Sequence, residues 1–201
     1  QEQGARTLTP SNSRSGAVGS SSIQETHMSE KRKYVFDWNN CIGNMEIARP
    51  SLGPNTRVEA YRLLQFSLRD VCERFYGTDQ CDVIFREAGV LAGTQFYQRY
   101  CQNVTSIDTL TKRVQEEFKR LGIGILRLEK VDLANLNFTL TVSEDLDCSG
   151  LPDVSEVICV YDEGMIQGIL QAYTGKKFVM REIDCWCTGK RTCRFAAKLE
   201  E

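Results

Sequence analysis

Three cysteines and a glutamate fall within thirteen positions in the stretch REIDCWCTGKRTC, residues 181–193. Thiols at this density carry redox chemistry or hold zinc or iron, and the choice depends on how many of them reach one point. The turn signal in the stretch is Thr188-Gly189-Lys190, and a hairpin turning there sets Cys185 opposite Cys193. Paired positions on one sheet face hold their Cβ atoms about 4.5–5.5 Å apart. Cys187, two residues along, shares the face of Cys185. Three sulfurs can therefore converge. Zinc asks for a fourth ligand, and the candidates are Glu182 and Cys159. Glu182 has the wrong strand parity for the cysteine face unless the strand bulges near Ile183 or Asp184. Lys190, Arg191 and Arg194 stand close enough in sequence to offset the negative charge of such a site, and a solvated hairpin explains each of them equally well.

The chain has nine cysteines in 201 residues, an odd number in a chain too long for a small disulfide scaffold, so a reducing compartment and a cytoplasmic location are expected. The five cysteines before residue 159 read as small core hydrophobes. The single histidine, His27, lies in the polar N-terminal stretch, which removes histidine-based triads, histidine zinc sites and histidine-ligated haem from the folded part. Lys and Arg number 25 against 27 Asp and Glu, so no global field draws the molecule to nucleic acid or to anionic lipid. The longest apolar runs are too short to span a bilayer.

The elements that must position these residues are legible in the periodicity. Residues 1–27 are rich in Ser, Gly, Thr and Gln and read as a disordered leader or a cloning remnant, with one domain over 28–201. Apolar residues three or four apart predict a helix over 57–75, with Thr56 and Glu59 as a capping box and Gly77 as its stop. Two more helices are expected over 88–100, where Gly89 and Gly93 allow a close backbone approach, and over 109–121. Alternation then predicts strands around 126–128 and 136–142, joined as an antiparallel pair. A helix from about Ile158 to Gly175 follows, capped by Asp153 and Glu156, with Gly164 and Gly168 on one face for close contact. Its acidic doublet, Asp162 and Glu163, suits a helix N-terminus better than acid–base catalysis. Two final strands flank the Thr-Gly-Lys turn. This order predicts an α+β domain, an antiparallel sheet of about four or more strands packed with helices, with the metal site at the C-terminal hairpin.

Residues 157–195, VICVYDEGMIQGILQAYTGKKFVMREIDCWCTGKRTCRF, resemble the 4-vinyl reductase domain, above all the version that senses phenols in bacterial transcriptional activators. The resemblance implies a zinc ion held by Cys159, Glu182, Cys185 and Cys193. Cys187 departs from the pattern and is the alternative ligand, in an all-thiolate site, an iron–sulfur cluster or a redox thiol. The resemblance also implies a buried cavity for a small apolar or aromatic molecule, for which Phe96, Tyr97, Tyr100, Phe138, Tyr161, Met165 and Trp186 are the candidates. Each of these also reads as ordinary core. The sensors hold a phenol hydroxyl with a histidine and a tryptophan. Here the folded region has no histidine, and Phe138 stands where the tryptophan is expected, so phenol is not carried over as the ligand. Arg86 and Glu87 are ionisable residues beside the second helix that could serve as other polar handles.

The expected function is a sensory module, a homodimer signalling to a fused or partner output domain, with no enzymatic activity, no direct nucleic-acid contact and no membrane. The alternatives are an iron–sulfur or thiol redox sensor, a protein of tetrapyrrole vinyl reduction, and a structural adaptor, since the same broad fold occurs in a vesicle-tethering complex. No dinucleotide fingerprint supports the reductase, because GIGIL at 122–126 lacks a third glycine and opens a strand.

Overall fold

A computed structural model describes residues 34–200; the expected leader, 1–27, lies outside them. Contacts divide the chain at Val35/Phe36. Of the first unit only Tyr34 and Val35 are described, without helix or strand, and the elements all belong to the second.

Two short helices, α1 (Trp38–Ile42) and α2 (Met45–Ala48), precede three long ones, α3 (Val58–Tyr76), α4 (Thr78–Tyr100) and α5 (Ile107–Leu121). The hairpin β1 (Ile125–Asp132) and β2 (Asn137–Ser143) follows, then α6 (Val160–Thr174) and the strands β3 (Phe178–Asp184) and β4 (Cys193–Leu199). The four strands form one antiparallel sheet in the order β1-β2-β4-β3. This is the expected α+β class. Along β3, Phe178, Met180 and Glu182 are buried while Val179, Arg181 and Ile183 face outward, the alternation of a sheet with one covered face. The core on that face joins Phe138, Leu140, Phe178, Met180 and Phe195 to Phe118 of α5 and to Ile166 and Ile169 of α6.

The capping expectations need correction. Arg57 rather than Thr56 starts α3, without a side-chain cap, and Glu59 pairs with Arg57 at 2.7 Å instead. Cys159 stands at the N-cap of α6, also without a side-chain cap, while Asp153 accepts the Ser155 amide in the loop before it. Helix α4 begins ten residues earlier than periodicity suggested, directly after Gly77, which ends α3 with φ 78°.

The two glycine pairs meet. Gly89 and Gly93 of α4 face Gly164 and Gly168 of α6, and a Cβ at Gly89 or Gly93 would run into the carbonyl of Tyr161 or Met165. Added Cβ atoms at Gly164 and Gly168 would strike the carbonyls of Arg86 and Val90. The helices cross at backbone contact, which only glycine permits. Arg86 closes the seam, its Nε and Nη2 donating to Glu163 Oε2 at 3.0 and 2.6 Å.

Candidate metal centre and cavity

Four cysteines from separate parts of the chain gather under the sheet. Cys148 comes from the loop after β2, Cys159 from the start of α6, Cys185 from the end of β3 and Cys193 from the start of β4. Their sulfurs all lie within 4.8 Å of one another, all four side chains are buried, and none is in a disulfide. The Cys159 Sγ lies 3.9 Å from Cys185 Sγ and 3.7 Å from Cys193 Sγ. A tetrahedral ion with Zn–S bonds of about 2.3 Å spaces its sulfurs about 3.8 Å apart, so these two edges fit. The Cys148–Cys193 edge, 3.1 Å, is shorter and would open on binding. An iron–sulfur cluster interposes its own irons and sulfides and needs a wider cage. Four buried thiols at this spacing could hold one metal ion.

The backbone explains the convergence. The register of β3 against β4 shifts between Glu182 and Asp184, the bulge that Glu182 required. Before the shift Glu182 faces the core with Met180; after it, Cys185 does. Glu182 lies beside the four sulfurs, and its Oε2 accepts the Cys159 amide at 2.9 Å. Its own amide donates to Glu163 Oε1 at 2.7 Å, joining the site to the Arg86 ion pair. Burial raises the Glu182 carboxyl to about 8. Cys187 leaves the strand on a 3₁₀ turn, Trp186–Thr188, so the expected face-sharing with Cys185 fails, and burial pushes its thiol to about 12.

Within the cluster the thiols of Cys148, Cys159 and Cys193 hold Cys185 far below the ordinary thiol range. The Cys159 thiol is pushed far up, by Cys148 first. One negative charge therefore settles on Cys185, and losing the remaining protons needs a cation. Two of the expected basic residues are engaged elsewhere: Arg194 pairs with Glu129 at 2.8 Å and with Asp184, while Arg191 lies over the Trp186 ring.

The aromatic candidates separate. Phe96, Tyr161 and Met165 line a cavity of about 300 Å³ between α1, α4 and α6. Phe138 faces a void of about 40 Å³ among Leu110, Val114 and Ile169, with room for about one water. Tyr97 packs on Tyr173, Tyr100 on Trp38, and Trp186 donates its Nε1–H to the Leu151 carbonyl at 3.0 Å.

Sequence reasoning missed Cys148, Asp147 and Tyr61. Cys148 stands in DLDCSGLPD, a polar loop where a core cysteine is out of place, and that was the available signal. Asp147 lines the 300 Å³ cavity and accepts the Tyr61 hydroxyl at 2.7 Å. Nothing in spacing links those two residues across α3 and the loop.

A one-faced antiparallel sheet, covered by helices and pinned at its C-terminal strands by a buried thiol centre, defines a small α+β domain that could carry a metal. Residues 138–199 match the family model of the 4-vinyl reductase domain, the family that the cysteine motif indicated. An uncharacterized protein of Methanocaldococcus jannaschii is 25% identical over 149 residues, 74% of this chain and 81% of that protein. A second one is 27% identical over 120 residues, 60% and 66%. Among solved structures, the phenol-responsive sensory domain of the transcription activator PoxR, with phenol, superposes with TM-score 0.55 at 16% identity, covering 72% of this chain and 75% of that one. A vinyl-4-reductase family protein from M. jannaschii gives 0.53 at 20% identity, covering 81% and 92%. A trafficking protein particle complex subunit 3 from Naegleria fowleri, covalently bound to palmitic acid, gives 0.56 at 13%, covering 72% and 95%. At these identities the structures share the fold. No helix among the described residues is long and apolar enough to cross a membrane.

Proposed function

We propose that this chain is a ligand-binding sensory domain, without catalytic activity of its own, whose structural zinc ion pins the C-terminal strands and whose occupied cavity signals to a fused or partner output domain. The observation that carries the reading is the pairing of a thiol centre closed on all sides with an apolar cavity on the same helix: α6 begins at Cys159 and lines the cavity with Tyr161 and Met165. A filled tetrahedral site leaves no position for a substrate, so the metal's work is to fix α6 against the sheet. The ligands are Cys159, Cys185 and Cys193, joined by Cys148, with Glu182 orienting them from behind. The family match and the fold shared with the PoxR sensory domain support the sensory role. Free thiols at all nine cysteines suit a reducing cytoplasm. The sensor acts as a homodimer. Native mass spectrometry of protein purified from its own host, with elemental analysis, tests the reading. One zinc per chain and a co-purified small molecule are expected; iron with visible absorption would favour the redox reading, and no metal with no ligand under any growth condition would end this one.

A further inference from the structure

The cavity has a chemical polarity that its apolar walls do not announce. One end is built from two carboxylates, Asp147 and Asp162, 3% and 7% exposed. The walls are Trp38, Phe96, Tyr61 and Tyr161, with Met165 beneath them. Among the described residues, no lysine, arginine or histidine lines it. The Tyr61 hydroxyl donates to Asp147 Oδ1; Oδ2 is buried and, among the described residues, has no hydrogen-bond partner. Arg62, whose charge reaches Asp147, spends its Nε and Nη2 on the Leu146 and Ser149 carbonyls at 2.9 and 2.8 Å. A buried acceptor left unpaired costs about 1–3 kcal/mol, more when it is charged. A ligand that brings donors to that end recovers this cost. A ligand that brings acceptors, such as a carboxylate or phosphate, meets like charge at close range.

We infer that the cavity takes an organic ammonium ion, an apolar or aryl amine whose head sits at Asp147 and Asp162 and whose body lies among Trp38, Phe96 and Tyr161. An ammonium group supplies three donors and a positive charge, which matches two carboxylates better than the single donor of a hydroxyl. The ring faces around the cavity attract a cation as well. The volume, about 300 Å³, accommodates a one-ring amine. This site is separate from the small void at Phe138, and it gives the sensory reading above, on which it rests, a definite ligand class.

Three probes of one shape and different heads decide it: phenethylamine, phenethyl alcohol and ethylbenzene, titrated calorimetrically into the full-length, metal-loaded chain at neutral pH. The amine is expected to bind about 10-fold or more tightly than the alcohol, and ethylbenzene most weakly. Asp147→Asn should remove that preference, with circular dichroism and metal content reporting whether the variant is folded. Ala92→Phe, which fills the cavity from α4 without replacing either acid, should abolish amine binding. If the alcohol or the hydrocarbon binds as well as the amine, the ammonium assignment is wrong and the sensory reading stands. If the amine does not bind, or binds Ala92→Phe unchanged, the assignment to this cavity is wrong.

Discussion

Cys148 shows what one side chain decides here. With it the donor set is four sulfurs; without it a carboxylate must come from Glu182, whose Oε2 already holds the Cys159 amide. The two residues therefore have different expected effects when replaced. Cys148→Ser removes a ligand and should leave the purified protein with well under one equivalent of metal after dialysis against a mild chelator. Glu182→Gln keeps the four sulfurs but weakens the group that positions Cys159, a class of change that costs about 10–100-fold in metal affinity. Competition with a chromogenic chelator measures both. Should Glu182→Gln lose metal as completely as Cys148→Ser, the carboxylate is itself a ligand and the three-cysteine, one-glutamate set is correct. Cys159, Cys185 and Cys193 were legible in the sequence because two lie on strands flanking an obvious turn and the third repeats a known spacing. Cys148 was hidden because a loop has no periodicity, and its distance from Cys193 is set by the pairing of β2 with β4, which no local pattern encodes.

Helices α4 and α6 form the element pair on which cavity and metal centre both depend. Their glycines were legible as points of close approach, since a four-residue spacing puts both on one face, but not that the two pairs pack against each other. That follows from the sheet order, which places α6 where α4 must cross it. Gly93→Ala forces a methyl group into the Met165 carbonyl, where the surroundings are backbone and cannot turn aside. The expected loss is about 3 kcal/mol, the upper range for overpacking, and a lowering of the unfolding midpoint by about 6–12 °C. Gly77→Ala is the control for the opposite cause: nothing stands within 4 Å of its Cβ, but φ of 78° strains any side chain, so a smaller fall is expected. Calorimetry on both proteins distinguishes a seam that tolerates no atom from a general intolerance of alanine. The start of α4 was not legible because Thr78-Asp79-Gln80 reads as a turn after Gly77, and tertiary packing of Cys81 and Phe85 overrides it.

On the scale of the whole molecule, α3 is the part left incomplete. Its only buried residue is Cys72, while Leu64, Leu68 and Phe75 are 68%, 55% and 77% exposed and Val71 is also open. These four positions, spaced by four, three and four residues, draw one stripe along a helix of 19 residues, the spacing of a helix-pairing seam. A monomer gains nothing from an uncovered stripe of that length, and a symmetric pair of α3 helices would cover both copies at once. That is the physical basis for the homodimer proposed above. The same stripe adjoins the groove where Leu64 and Leu68 meet Phe85 and Tyr161, and Tyr161 also lines the ligand cavity, so ligand and partner press on one residue from two sides. Leu64→Glu combined with Leu68→Glu places charges at the centre of the seam and replaces neither thiols nor carboxylates. Light scattering behind size exclusion is expected to show the dimer mass for the natural chain and the monomer mass for the double variant, with metal content unchanged. A natural chain that runs as a monomer at the micromolar concentrations of the ligand titration would place the covering of α3 elsewhere, on the output domain.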